Sequence, residues 1–306
     1  RKKTEKKQFY IGDIFRVIGL IIAFSVLLYP TVSNYLYEKN GSKVISAYDE
    51  NAVRLSESDK REMLEAARQY NEELLGNIEL LDPFSSIKKE VDERYQSLLN
   101  VNGSGMIGYI RIPKINAELP IYHGTSDEVL QQAAGHLEGS SLPVGGASTH
   151  AVISAHRGLP SASLFTDLDK LEEGDHFLIH VLNETLCYEV DKISVVKPEE
   201  TSGLAVEEGK DLVTLLTCTP YGVNTERLLV RGHRVEYVEQ EVEAEKTLFS
   251  GISIHTNYLL WVIVGLLVTV AFIVVLYKKE QKLKKRRAEQ ATDGQEAPAV
   301  QDRTVT

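Results

Sequence analysis

Hydrophobic and polar positions divide the chain into stretches of different texture. From Tyr258 to Leu276 runs an apolar stretch of 19 residues without a charge. At about 1.5 Å of rise per residue, such a helix spans the roughly 30 Å hydrocarbon core of a bilayer, so a transmembrane helix is predicted. A second apolar stretch, Val17 to Val32, has 16 residues. That is the short end of a span, and it fits either an uncleaved anchor or the hydrophobic region of a secretory signal. The residues behind it, Ser33-Asn34-Tyr35-Leu36, do not form a small-x-small cleavage site, which favours the anchor.

Between these stretches a helical period gives way to a strand period. Met63, Leu64, Ala67, Tyr70 and Leu74 recur at helical spacing behind the N-cap candidates Ser56 and Ser58, and Gly76 follows. A second short helix fits Ile87, Val91, Tyr95 and Leu98. Leu81-Asp82-Pro83-Phe84 interrupts the two, because Pro83 disfavours helical geometry at Asp82. From Gly105 onward the text becomes short β-rich runs: Met106 to Ile112, Ala151 to Ser154, His176 to Leu182, Thr185 to Val196, Leu212 to Leu216 and Arg227 to Val235. Gly, Pro, Asn and Asp separate them, which predicts an all-β barrel or sandwich.

Charge orients these parts. The chain carries 34 basic and 44 acidic residues, a net charge of -10, with only 2 cysteines. A disulfide scaffold is excluded, and the balance argues against a nucleic-acid partner. The charge is unevenly spread: residues 1–37 hold 6 basic and 2 acidic groups, residues 258–306 hold 8 and 5, and the segment between holds 20 and 37, net -17. Basic flanks stay cytoplasmic. The expected organisation is a basic cytoplasmic N-terminus (1–16), an anchor or signal region (17–32) and an extracytoplasmic helical arm (38–104). A β-domain (105–238), a juxtamembrane linker (239–257), a transmembrane helix (258–276) and a basic, disordered cytoplasmic tail without apolar periodicity (277–306) complete it.

Candidate chemistry concentrates in the β-rich segment. Cys187 lies in an alternating strand pattern, whereas Cys218 ends Val213-Thr214-Leu215-Leu216-Thr217 and meets the loop Thr219-Pro220-Tyr221-Gly222. A strand-to-loop junction is where a rigid scaffold presents a reactive side chain. A Cys187–Cys218 disulfide is the alternative that an extracytoplasmic compartment permits. A thiol nucleophile needs a base and proton donor, and His suits both tasks. His150 and His156 flank Ala151–Ser154; His156 leaves the strand toward Gly158 and Pro160 as Cys218 leaves its own, but the pattern keeps both open. His176 and His180 share a strand face and read as a surface pair rather than a metal pair, with no further ligand to complete a site. His123 and His136 stand in loop-like or short helical text, His233 at a basic strand end and His255 beside the last apolar run. An oxyanion requires backbone donors or a fixed cation. A hairpin through Thr219 to Glu226 would return Arg227 beside Cys218, with Arg231 on the same face farther along; either could instead be a surface charge.

Together these residues resemble the sortases. Thr214-Leu215-Leu216-Thr217-Cys218 matches the TLxTC motif of that family, Asn224 to Gly232 resembles its arginine segment, and Ile153-Ser154-Ala155-His156-Arg157-Gly158 its histidine segment. Leu119 to Gly124 and Leu164 to Leu168 extend the likeness over roughly residues 105–238. The resemblance prefers His156 over His150 and Arg227 over Arg231. It implies a closed β-barrel of about eight strands with a helical N-terminal arm, flanked by the two membrane segments. The carboxyl-terminal apolar helix and the arm bearing Asp82-Pro83-Phe84 are similar to the class C, pilus-building sortases. In that class such a lid lies over the site, with Asp82 facing Arg227 and Phe84 covering the sulfur of Cys218. The activity implied is transpeptidation. Cys218 attacks the Thr-Gly carbonyl of an LPxTG-like sorting signal, Arg227 holds the oxyanion or substrate, His156 moves the proton, and a pilin lysine resolves the thioester. No metal or organic cofactor is required, and the implied partners are pilin subunits and the lipid bilayer. A housekeeping cell-wall-anchoring sortase, a secreted thiol hydrolase and a non-enzymatic anchored module are the alternatives.

Overall fold

The β-rich runs after Gly105 become eight strands that close on themselves in the order β1-β2-β3-β4-β7-β8-β6-β5. In the computed structural model, which describes residues 11–74, 80–85 and 92–238 with scattered positions between 263 and 286, they are β1 (Met106–Ile112), β2 (Ala117–His123), β3 (Ala134–His136), β4 (Thr149–Ser154), β5 (His176–Val181), β6 (Glu184–Val196), β7 (Asp211–Thr219) and β8 (Glu226–Val235). The chain divides into two units, Arg1–Ser253 and Ile254–Thr306, and the barrel belongs to the first. β2/β3 and β4/β7 pair in parallel, and the other pairs are antiparallel. Two strands, β2 and β3, lie where no strand was expected, so His123 and His136 are strand-end residues rather than loop residues.

Alternating inward side chains fill the barrel. Ile107, Ile110, Ile121, Ile153, Phe177, Ile179, Tyr188, Leu215 and Val230 belong to one buried cluster. Phe177 and Tyr188 stack with centroids 5.5 Å apart. Gly232 in β8 makes room for them, since a Cβ there would come within 2.7 Å of the Phe177 ring. A strand position facing a packed aromatic at that distance accepts only glycine.

The arm consists of α1 (Ile11–Arg54), α2 (Glu57–Leu74) and α3 (Glu93–Ser97). α2 starts where the sequence signals it: Ser56 Oγ accepts from Asp59 N, and Ser56 N donates back to Asp59 Oδ2, a reciprocal cap. Leu64, Ala67, Tyr70 and Asn71 form its buried stripe. Asn71 fastens the helix to the barrel loop through two bonds, Nδ2 to Leu142 O at 3.0 Å and Oδ1 from Leu142 N at 2.7 Å. α3, capped by Asp92, covers only the end of the helix expected around Ile87–Leu98; residues 86–91 lie outside the described ones. Its buried Tyr95 donates within 2.8 Å of His136 Nδ1 and accepts from Gly124 N. Buried polar groups survive when paired in this way.

α1 continues unbroken past the expected end of the apolar stretch at 32 and lays Ile45 and Tyr48 against Met106, with Tyr109 and Tyr122 beside them. Among the described residues no helix is long and apolar enough to cross a membrane. The stretch 17–32 lies within α1, and Tyr258–Leu276 falls largely outside the described residues, so the two flanking membrane segments expected from hydropathy gain no support from the fold. The Tyr48 hydroxyl donates to Ile107 O at 3.0 Å and accepts from Leu182 N at 2.9 Å while 1 % exposed. Tyr48→Phe leaves both backbone groups buried and short of a partner, so it is expected to cost about 1–3 kcal/mol in a denaturant-unfolding measurement.

Candidate active site

Two strand ends bring the candidate residues together. β4 and β7 run in parallel with Ser154 opposite Leu216. The pairing continues one step further, because Ala155 N donates to Leu216 O at 3.2 Å and the buried Thr217 hydroxyl donates to Ala155 O at 2.7 Å. His156 therefore leaves β4 beside Cys218 as Cys218 approaches the end of β7. The β7–β8 hairpin supplies the third member, for Arg227 is the register partner of Cys218. Directly opposed residues in an antiparallel pair project from the same face, so thiol and guanidinium share one surface of the barrel mouth.

The lid residues close this mouth. Asp82 receives two charge-assisted bonds from Arg227, Nε to Oδ1 and Nη2 to Oδ2, each 2.7 Å long. Arg227 Nη1 also donates to Asn224 O at 3.2 Å and Glu226 O at 3.0 Å, which fixes the guanidinium plane. Bidentate pairing of this kind is the strong form of the interaction. The Phe84 ring lies 5.3 Å from the His156 ring and 5.2 Å from the Arg227 guanidinium carbon. Leu80 and Phe84 rest on a small cluster of Leu137, Val152, Leu204, Leu216 and Leu229, while Pro83 is buried in the turn closed by Ser85 N to Asp82 O. The Phe84 ring thereby packs on two side chains of the site, His156 and Arg227.

Burial sets the resting protonation. It pushes the Cys218 thiol up from its ordinary value; the positive charge of Arg227 pulls it back, and Asp82 raises it again. Burial also lowers the His156 imidazole, against a smaller opposing effect of Asp127. With the lid in place both groups are held toward their neutral forms, a thiol beside an imidazole.

The other candidates make contacts of their own. His150 is buried, with Nδ1 2.8 Å from Ala205 O and Nε2 2.7 Å from Thr214 Oγ1. Arg231 is bound to both Asp191 oxygens and to Glu207. Cys187 packs with Leu178 and Val235, and the two cysteines form no disulfide with each other, which removes that alternative. His180 stacks on Tyr109 with centroids 4.4 Å apart and meets Thr185 Oγ1 at 3.0 Å. His136 is deeply buried, and its pKa is lowered to about 4 by that burial.

One contributor escaped the sequence reading. Arg157 donates from Nε to Thr166 O at 3.2 Å, from Nη1 to Thr219 Oγ1 at 3.2 Å and from Nη2 to Asp169 at 2.5 Å. It thereby ties the residue after His156 to the residue after Cys218. Its position next to the histidine was the only signal; nothing in the spacing pointed to Thr219 as a partner.

Comparison with known proteins places this geometry. Residues 110–235 match the family model of the sortase domain. A Streptococcus pneumoniae sortase C structure, described in terms of catalysis and pilin substrate specificity, is 44% identical with TM-score 0.57, covering 64% of this chain and 97% of that one. A Streptococcus agalactiae sortase C1 structure is 48% identical with TM-score 0.58, covering 64% of this chain and 100% of that one. Sortase D of Bacillus subtilis is 33% identical over 131 residues, 42% of this chain and 63% of that relative, so less than two thirds of its length is spanned.

Proposed function

The chain is a member of the sortase family, class C, and on that premise we propose that it is a membrane-anchored transpeptidase that links pilin subunits through Cys218. Sortases are cysteine transpeptidases acting on sorting-signal substrates such as pilins. The observation carrying the residue assignment is the register that pairs Cys218 with Arg227 while β4 delivers His156 beside them.

In this reading His156 takes the Cys218 thiol proton as the sulfur attacks the Thr carbonyl of an LPxTG-like segment. The S–C bond forms, charge gathers on the carbonyl oxygen, and Arg227 stabilises it once Asp82 has withdrawn. Collapse breaks the Thr–Gly C–N bond as His156 donates a proton to the leaving amine. The resulting thioester is attacked by a lysine amine of a second pilin; His156 accepts the amine proton, the C–S bond breaks, and an isopeptide bond remains. No metal or organic cofactor enters these steps. Anchoring rests on the apolar stretches 17–32 and 258–276 and their basic flanks.

Asp82, Pro83 and Phe84 act as a lid that keeps the nucleophile idle. Asp82 occupies the guanidinium that substrate needs and, with burial, holds the thiol protonated. Asp82→Ala is expected to free Arg227 and rehydrate Cys218, both of which lower the thiol pKa. Iodoacetamide labelling of Cys218 then becomes faster at neutral pH, by about tenfold for each unit of decrease, and the midpoint of its pH profile moves to lower pH. An unchanged profile would remove the lid role.

A further inference from the structure

We propose that the end of the barrel carrying Cys218 and His156 rests on the lipid bilayer, with the β7–β8 loop in the headgroup interface. The inference rests on the anchoring proposed above and adds an orientation to it. α1 runs the length of the barrel. At one end Tyr48 bonds to Ile107 at the start of β1 and to Leu182 just past β5. At the other, Ser33 Oγ donates to Ser161 O at 3.0 Å and Asn34 Oδ1 accepts from Ser163 N at 2.7 Å, in the loop that follows His156. The helix therefore leaves the barrel at its active-site end. Its preceding residues Ile22, Val26 and Val32 are 58%, 68% and 51% exposed, an apolar stretch of helix.

Charge supplies an independent observation. Residues 38–257 hold 20 basic and 37 acidic groups, and such a domain is repelled by anionic headgroups. The turn before β5 (Glu172, Glu173, Asp175) and the turn after β6 (Glu199, Glu200) share this end, but the loops Gly158–Thr166 and Thr219–Thr225 there contain no charged residue. They touch each other, because a Cβ on Gly158 would lie 3.0 Å from the Tyr221 ring. Tyr221 and Val223 at the second loop's tip are 60% and 64% exposed. The opposite end, with the starts of β4 and β7, carries Glu207, Glu208 and Lys210. An uncharged tip with Tyr and Val, beside the exit of an apolar helix, suits the interface: Tyr settles at headgroup level, and apolar side chains sink about 5–10 Å into it. A donor held in the same bilayer would then meet Cys218 at the membrane surface.

The test uses the full chain in phosphatidylcholine–phosphatidylglycerol vesicles. The chain has a single tryptophan, so Trp261→Phe combined with Val223→Trp or Glu208→Trp gives one reporter at either end. The expected result is blue-shifted emission and quenching by shallowly brominated lipid for the reporter at 223, with neither for the one at 208, which aqueous iodide quenches. If both reporters behave alike while the chain floats with the vesicles, the orientation is overturned and the anchoring stands. If the chain does not float, the anchoring fails and the orientation with it.

Discussion

Cys218→Ala is expected to abolish both the thioester and the polymer while leaving the barrel folded. The substitution removes the one sulfur at the barrel mouth. Cys187, the second cysteine, is 1% exposed and packed beneath Val235, so it cannot take over. Removing the nucleophile of an acyl-transfer enzyme costs on the order of 10⁶ in kcat. A peptide-cleavage assay reads the loss, and an unchanged circular dichroism spectrum with an unchanged unfolding midpoint assigns it to chemistry. Retained polymerisation by the alanine variant would remove Cys218 from the mechanism altogether.

Arg227→Ala has the second largest effect, and its two parts have opposite signs. Catalysis should fall by roughly 10²–10³, the size seen when one oxyanion donor is removed. At the same time Asp82 loses the partner that holds the lid down. Alkylation of Cys218 in the absence of substrate gains from the loosened lid, while the loss of the guanidinium's pull on the thiol works against it. The prediction is a lower kcat/KM with greater protection lost from the thiol, measured as solvent accessibility by hydrogen exchange over 80–85. Arg227→Lys restores charge but not the two-pronged contact, so it should recover part of the rate and little of the lid closure. A variant that loses neither rate nor lid protection would leave Arg227 a surface charge, the bland alternative.

These effects depend on residues whose roles were unevenly visible along the chain. Strand alternation located β1 at Met106–Ile112 and, within a few residues, β4 to β8. β2 contains Pro120, which breaks the usual composition of a strand, and β3 is three residues long, too short for any period to register. The β7–β8 hairpin was legible because uncharged turn residues separate two apolar runs, and it alone predicted that Arg227 would return beside Cys218. Pattern leaned toward His156 over His150, by its exit toward Gly158 and Pro160, without deciding between them. The pairing across β4 and β7 places them differently: Thr214 and Ala205 engage His150 inside the wall, and Ala155 carries His156 out beside Cys218. Asp82 meets Arg227 across 145 residues; no local signal encodes such a contact, and it was expected only through family likeness. The continuity of α1 through Asn34 and Gly41 was also hidden, since those residues break an apolar pattern but do not break this helix.

The central claim is that Cys218 carries the acyl group between two amines. Intact-mass spectrometry of the chain incubated with an LPxTG-like peptide tests it most directly, first without and then with an added lysine-like amine. The account predicts a mass increase equal to the peptide's acyl fragment, mapped to Cys218, which disappears when the amine is added as an equal amount of amide product forms. A product released only to water, an adduct on another residue, or amide formation by the Cys218→Ala variant would contradict it.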